Sequence, residues 1–171
     1  LHTGCRSGEL LGLEWDRVDL RNNLIRLEGD HTKSGRGRSV PINGDARAAL
    51  LGRARHRAEH CPDSPWVFVN SNPRWKGRRI SSVKSAFSAA CKRANIEHCT
   101  PHTLRHTCAS WMVMEGRSLM EVRDILGHST VKMTERYAHL APERLREAVS
   151  VLETGRTFAV PSSTTRRLRY Q

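Results

Sequence analysis

Glycine and proline divide the second half of the chain into short segments, each with a helical pattern of apolar residues. Thr100-Pro101 predicts the start of a helix that ends at Gly116. Ser118 and Glu121 form a capping box that begins a second helix, and Gly127 ends it. Two further helical patterns follow, one from Ser129 through Tyr137 and His139 and one from Pro142 to about Leu152. A mainly helical structure is therefore expected for this half of the chain.

The first half of the chain predicts a small antiparallel sheet among helices. Residues 18–42 contain three short strand patterns, at residues 18–20, 24–27 and 40–42, which are separated by a polar turn and by a glycine-containing turn. Ser7 is expected to cap a first helix, and longer helices are expected over residues 45–60 and 81–94. The predicted fold class is therefore α+β, mainly α with one small antiparallel sheet.

The charge of the chain indicates a polyanionic partner. Lys and Arg number 29 and Asp and Glu 17, so the net charge is +12. A field of this sign suits nucleic acid or an acidic membrane surface. No run approaches the roughly 20 apolar residues that a membrane-spanning helix needs. A membrane protein is therefore not expected.

The cysteines predict neither disulfides nor a metal site. The chain has 5 cysteines and no CxxC motif, which favours reduced thiols in the cytoplasm. Cys99, His102, His106 and Cys108 lie close together in the sequence, and the two histidines would share one face of a helix. Their spacing matches no zinc pattern, so no metal ligand is predicted.

Two basic residues in the first 40 positions suit a phosphate. Arg6 precedes the predicted helix start, so its guanidinium lies beside free helix N–H groups. Lys33 lies beside the glycine-containing turn, from which an ammonium group can reach into a groove and protonate a leaving oxygen. For each of the two, the alternative interpretation is a solvated surface charge.

Two further segments combine histidine, arginine and tyrosine. His102, Arg105 and His106 share one helix face, an arrangement that favours contact with an anion or solvent. His128 precedes a helical pattern that ends at Tyr137. A tyrosine oxygen is a weak nucleophile at its usual pKa and needs cations nearby. The alternatives are structural histidines and a half-buried packing tyrosine.

Together these four segments resemble the catalytic domain of tyrosine recombinases, the phage integrase family. Thr3-Gly-Cys-Arg-Ser-Gly-Glu-Leu10 resembles the family's first arginine box, and His102-Thr-Leu-Arg105-His106 resembles its His-x-x-Arg box. Leu126-Gly-His128, followed by Tyr137, resembles its final box. Lys33 falls in the hairpin where the family keeps a lysine. The resemblance implies the tyrosine recombinase catalytic-domain fold.

The resemblance implies a site-specific DNA recombinase that cleaves and rejoins strands. Tyr137 would attack a phosphodiester to form a 3′-phosphotyrosine, without ATP, metal or another cofactor. Arg6 and Arg105 would clamp the phosphate oxygens, and Lys33 would protonate the leaving 5′-oxygen.

Four further roles are implied around this core of residues. His102 would accept the proton of the Tyr137 hydroxyl, and His128 would donate a hydrogen bond to the phosphate. Glu9 would orient Arg6 or His102 as a supporting carboxylate. His106 would support the site by packing or by a backbone contact.

The resemblance also implies the partners and the cellular location. Double-stranded DNA is the expected partner, with a tetramer of the full-length parent on DNA and with accessory DNA-bending proteins. A bacterial or phage-encoded protein at the nucleoid, in the cytoplasm, is expected. Backbone contacts to DNA are expected from Arg36, Arg38, Arg74, Lys76, Arg78 and Arg79.

The domain organisation expected from the match is one catalytic domain over residues 1–153, N-terminally truncated and missing its first helices, followed by a basic tail over residues 154–171. Three alternatives stay open. One is a non-catalytic DNA-binding module in which residues 118–139 form a helix-turn-helix. The others are an inactive integrase remnant and a relaxing topoisomerase with the same chemistry.

Overall fold

The structure, a computed structural model, describes residues 1–29, 37–142 and 149–150. The helices are α1 (Ser7–Leu11), α2 (Gly44–His60), α3 (Lys84–Arg93), α4 (Pro101–Met114), α5 (Leu119–Leu126) and α6 (Lys132–Glu135). The strands are β1 (Val18–Asp19), β2 (Leu24–Leu27) and β3 (Arg38–Pro41). The predicted class, mainly helical with one small antiparallel sheet, is confirmed. None of the helices in this described part of the chain is long and apolar enough to cross a membrane.

The sheet has the order β1-β2-β3, with both pairings antiparallel. Ile25 pairs with Val40, and Leu27 pairs with Arg38. Ile25, Leu27 and Val40 are buried, so alternate residues of β2 face the core, as the period of a strand requires. β3 begins at Arg38, two residues earlier than predicted. This start places Arg38 where β3 meets α5.

Two apolar clusters hold the described residues together. The first joins the sheet, α2 and the segment around Val67, and consists of Cys5, Leu13, Ile25, Leu27, Val40, Ile42, Ala46, Leu50 and Val67. The second joins α4, α5 and the segment after α6, and consists of Ala109, Val113, Val122, Leu126 and Tyr137. Because Tyr137 belongs to the second cluster, packing fixes its ring relative to both helices.

The helix starts and stops follow the predicted caps. Thr100 accepts a hydrogen bond from the backbone N–H of Thr103, and Pro101 occupies the first position of α4. Ser118 accepts from the N–H of Glu121, whose carboxylate accepts from Ser118 in return. Gly127 ends α5 in the left-handed region, with φ of 67°. These caps set where α4 and α5 present their side chains.

The segment after Gly127 is less helical than predicted. α6 covers only Lys132–Glu135, and Val131 at its start provides no side-chain cap. Tyr137 therefore follows α6, and Ala138–Leu140 forms a separate 3₁₀ turn. Four residues make about one helical turn, too short to lie along a DNA groove. This length argues against a helix-turn-helix over residues 118–139.

Several predicted features lie outside the described residues. These are Lys33, Arg36, the tail over residues 154–171 and most of the helix predicted after Pro142.

We expect Gly4→Ala to lower the stability of the fold. Gly4 has φ of +60°, and a Cβ there would lie 2.7 Å from Cδ2 of Leu126 in the second cluster. Left-handed strain and overpacking together should cost about 2–4 kcal/mol of unfolding free energy, measured by urea denaturation. Gly8→Ala is the control, because a Cβ at this helical position has no atom within 4 Å. Equal stability of the two variants would contradict the prediction.

Candidate active site

Residues from three separate segments line one cavity of about 290 Å³. Its lining includes five of the predicted catalytic residues, namely Arg6, His102, Arg105, His128 and Tyr137. His106, Lys132, Met133 and Arg136 complete it. Arg6, Arg105, Lys132 and Arg136 bring four basic side chains to this lining, and no carboxylate is among its described residues. The cavity is therefore suited to an anion.

The guanidinium of Arg105 is held by a hydrogen bond to the backbone just before α1. It is only 4% exposed, and its Nη1 donates to the carbonyl oxygen of Gly4 at 2.6 Å. Burial, followed by the charge of Arg6, lowers its pKa to about 10, so it stays protonated at neutral pH. A guanidinium has five N–H donors. The bond to Gly4 therefore leaves donors for an anion in the cavity.

A single carboxylate, Glu9, holds two arginines beside the cavity. Its oxygens accept from Nη1 of Arg6 at 2.9 Å and from Nη1 and Nη2 of Arg38 at 3.1 and 2.8 Å. Burial raises the pKa of Glu9, but the hydrogen bonds from Arg38 and Arg6 outweigh this effect and lower it overall. Glu9 is therefore an anion inside the protein, held by bidentate contact with Arg38.

Arg38 has a different place from the one predicted. Its side chain is 9% exposed, with both terminal nitrogens on Glu9 and its Nε donating to the carbonyl of Ile125 at 3.2 Å. It joins β3 to α5 and lines a second cavity with Arg123 and Ser129, so its contact with DNA stays a prediction. Glu9, which was expected to orient Arg6 or His102, contacts Arg6 and Arg38.

The hydroxyl of Tyr137 is paired with His106, whereas His102 was the predicted acceptor. Nδ1 of His106 lies 2.5 Å from the hydroxyl oxygen, and the ring of His102 packs edge-on against His106 at 4.6 Å between centroids. Position 106 lies one helical turn beyond position 102, at the level of α4 where the second cluster holds Tyr137. His102 is exposed and lines the same cavity.

Both groups of this pair are neutral at pH 7. Burial, followed by the charges of His102, Arg136 and Arg105, lowers the pKa of His106. Burial raises the pKa of Tyr137, although Arg136 and Arg105 oppose this effect. A neutral imidazole beside a protonated phenol can accept its proton.

His128 is fixed by a buried threonine. Nδ1 of His128 lies 2.9 Å from Oγ1 of Thr134, which is fully buried. Burial, followed by the charges of Arg105 and Arg6, lowers the pKa of His128 to about 4. The ring is therefore neutral at pH 7. With Nδ1 bound to Thr134, Nε2 is the nitrogen available to a ligand.

Sequence reasoning missed two basic residues of the cavity. Lys132 and Arg136 are exposed side chains at i and i+4, on either end of α6, and both line the cavity. Their shared spacing and charge, four and eight residues after His128, were the available signal. Within the described residues, no group of three or more His, Cys, Asp or Glu side chains could hold a metal ion.

Four of the basic residues that are predicted to contact DNA lie on the surface in one loop. Arg74, Lys76, Arg78 and Arg79 are all exposed. Trp75 is 46% exposed, with the guanidinium carbons of Arg74 and Arg78 at 5.4 and 5.5 Å from its ring. Two cations thus flank one aromatic ring. Contact of these side chains with DNA stays a prediction.

Comparison with known proteins identifies the family. The family described as "Phage integrase family" matches residues 1–144. The chain belongs to the phage integrase family. Tyrosine recombinase XerC of Corynebacterium glutamicum is 33% identical over 148 residues, which are 85% of this chain and 46% of that protein. The predicted family is thus confirmed.

Solved structures agree on the fold. The crystal structure of XerA recombinase matches with a TM-score of 0.69 and 30% identity, over 88% of this chain and 54% of that one. The Tn1549 transposon integrase in complex with circular intermediate DNA matches with a TM-score of 0.68 and 25% identity, over 88% and 56%. The catalytic-domain fold of this family is therefore confirmed, and the chain spans about half the length of the relatives it matches.

The pKa of His128 predicts a loss of stability in mild acid. Its folded value of about 4 lies below its ordinary 6.5, so the unfolded chain binds the proton more readily. Unfolding free energy should therefore fall as the pH drops from 6.5 to 4, by up to about 1.4 kcal/mol per pH unit. His106 and His56, whose pKa values are also lowered, add to the same slope.

Urea denaturation at several pH values measures this slope. His128→Asn keeps a polar partner for Thr134 but does not titrate, so it should flatten the slope between pH 4.5 and 6.5. Protonation of Glu9 lowers the unfolding free energy only below pH 4.5, because its pKa in the folded protein lies below that ordinary value. Glu9 therefore does not contribute to the slope in this pH range. An unchanged slope in His128→Asn would contradict the assignment.

Proposed function

We propose that this chain is a DNA strand-cleaving and strand-joining domain of a site-specific recombinase, with Tyr137 as the nucleophile. One observation carries the proposal. The hydroxyl of Tyr137 is hydrogen-bonded to His106 at the wall of a cavity lined by four basic side chains. A tyrosine needs both a proton acceptor and nearby cations to attack a phosphodiester.

Phosphate binding is the first task of the cavity. Arg6 and Arg105 can each donate to the non-bridging oxygens, and their positions are set in advance by Glu9 and by the carbonyl of Gly4. Such preorganised donors stabilise the charge that develops in the transition state. His128 adds a neutral donor through Nε2. Lys132 and Arg136 supplement the positive charge that a divalent ion supplies in other phosphoryl-transfer enzymes.

Proton transfer accompanies the attack. The Tyr137 oxygen forms a bond to phosphorus as its proton passes to Nδ1 of His106, and the bond from phosphorus to the 5′-oxygen breaks. Lys33 is proposed to supply the proton for the departing 5′-hydroxyl. The phosphodiester energy is kept in the 3′-phosphotyrosine, so the reverse attack by a 5′-hydroxyl needs neither ATP nor a cofactor.

Double-stranded DNA is the proposed substrate. The net charge of +12 and the exposed basic side chains of Arg74, Lys76, Arg78 and Arg79 suit its phosphate backbone. A fold relative, the Tn1549 integrase, was solved with circular intermediate DNA. Arg36 is proposed as a further backbone contact. Assembly as a tetramer on DNA, accessory DNA-bending proteins, a nucleoid location and a catalytic domain over residues 1–153 with a tail over 154–171 complete the proposal.

Tyr137→Phe should abolish covalent attachment to DNA, because it removes the nucleophilic oxygen. A labelled library of nicked duplexes, randomised around the nick, traps the intermediate since the short cleaved fragment diffuses away. A DNA–protein adduct resistant to detergent is expected from the unaltered chain. Tyr170→Phe, at the only other tyrosine of the chain, is the matched control and should still form the adduct.

Two outcomes would contradict the proposal. One is an adduct that persists in Tyr137→Phe. The other is tight DNA binding by the unaltered chain without any adduct, which would favour the non-catalytic DNA-binding module.

His106→Ala should slow adduct formation more than His102→Ala, because His106 holds the Tyr137 hydroxyl. Loss of a general base costs roughly 10²–10⁴-fold in rate. In His106→Ala the remaining rate should rise steadily with pH, since the hydroxyl must ionise without an acceptor. A greater loss in His102→Ala, with an unchanged pH profile in His106→Ala, would return the acceptor role to His102.

A further inference from the structure

A loop at the end of α3 brings two cysteines together. α3 ends at Arg93, and the backbone N–H of Ile96 donates to the carbonyl of Cys91 at 2.9 Å. Asn95 and His98 have φ of 53° and 52°, in the left-handed region. These two residues mark turns in the short loop that leads from the end of α3 to Cys99. Cys99 returns beside the last turn of α3, where Cys91 lies.

The two thiols share one open concavity. Cys91 and Cys99 both line a cavity of about 560 Å³, and both side chains are half-buried. Burial, followed by the neighbouring Cys99 thiol, raises the pKa of Cys91. The two thiols therefore lie near each other on the wall of a concavity that a small molecule can enter.

The other cysteines are enclosed. Cys5, Cys61 and Cys108 are 7%, 4% and 9% exposed. A reagent in solution thus reaches Cys91 and Cys99 selectively.

We propose that Cys91 and Cys99 form a reversible disulfide by exchange with low-molecular-weight disulfides. A thiolate at position 99 attacks one sulfur of the external disulfide and releases one thiol. A thiolate at position 91 then attacks the mixed disulfide and releases the second thiol. Two cysteine thiols are oxidised, one external disulfide is reduced to two thiols, and the cysteine protons end on the released thiols.

A disulfide fits this pair better than a metal ion. Glu97 and His98 also line the concavity, but within the described residues no group of three or more ligating side chains is placed to hold a metal. A disulfide needs only the two thiols on the wall of this concavity, whereas a structural metal site needs further ligands. An exposed disulfide of this kind is readily reduced, as labile ones are.

The cross-link would act on the proposed active site through α4. Cys99 directly precedes Thr100, the cap of α4, and α4 carries His102, Arg105 and His106. Drawing the two sulfurs to a bond of about 2 Å ties the start of α4 to the end of α3. This effect on cleavage rests on the proposed function, whereas the formation of the disulfide does not.

Thiol mapping by mass spectrometry tests the disulfide without DNA. The folded chain is incubated with a mixture of oxidised and reduced glutathione, quenched with acid and alkylated in denaturant. We expect the loss of two hydrogens, alkylation of Cys5, Cys61 and Cys108 alone, and a proteolytic peptide pair joined through Cys91 and Cys99. Dithiothreitol should reverse all three changes.

Single variants make the assignment specific. Cys91→Ser and Cys99→Ser should each carry one glutathione on the remaining cysteine of the pair, with no cross-link. Cys61→Ser, at a buried position, should keep the cross-link. Glutathione on both Cys91 and Cys99 of the unaltered chain, without a joined peptide, would overturn the proposal, and so would a random set of pairings.

The rate of adduct formation on the nicked-duplex library tests the coupling to α4. Oxidised and reduced protein should differ in rate by at least severalfold, and Cys99→Ser should respond to neither condition. Equal rates with the cross-link present would reject the coupling and leave the disulfide standing. Absence of any adduct under both conditions would count against the proposed function instead.

Discussion

The buried carboxylate of Glu9 is the interaction on which the arrangement of the site depends. It accepts hydrogen bonds from Arg6, which directly precedes α1, and from Arg38 on β3. Arg38 also donates to the carbonyl of Ile125 on α5. One anion thus joins α1, the sheet and α5. Removing one partner of such a buried ion pair typically costs about 3–5 kcal/mol, because the remaining charge is left uncompensated. The position of Arg6 is therefore set by the same carboxylate that holds Arg38 between β3 and α5.

The positive charges that line the cavity repel one another, and this repulsion lowers the pKa values of groups beside them. Arg105 and Arg6 are among the causes that lower the pKa of His128, and Arg6 is among those that lower the pKa of Arg105. Like charges held close together repel one another, and the fold maintains them with Glu9 and with the carbonyl of Gly4. A bound phosphate group would relieve that repulsion. The same repulsion therefore lowers the stability of the empty site and raises its affinity for an anion.

Local signals in the sequence predicted the local structure well. The caps at Thr100 and Ser118 and the stop at Gly127 depend on neighbouring residues, so they could be recognised directly. The contacts that decide roles are long-range. Arg38 meets Glu9 across 29 residues, and no periodicity indicates that pairing. Helical spacing placed two histidines on one face of α4. Only the packing of Tyr137 decides which of the two histidines is hydrogen-bonded to the Tyr137 hydroxyl.

Tyr137, the proposed nucleophile, is also a member of the apolar cluster that contains Ala109, Val113, Val122 and Leu126. Its oxygen cannot travel far unless that cluster opens. In the proposed reaction, the phosphate would therefore have to be brought in the correct alignment to an oxygen whose position is nearly fixed. Under this proposal, the strand that is cleaved would depend on how the DNA duplex sits in the cavity, and substitutions between α4 and α5 would alter the reaction rate by moving the Tyr137 oxygen.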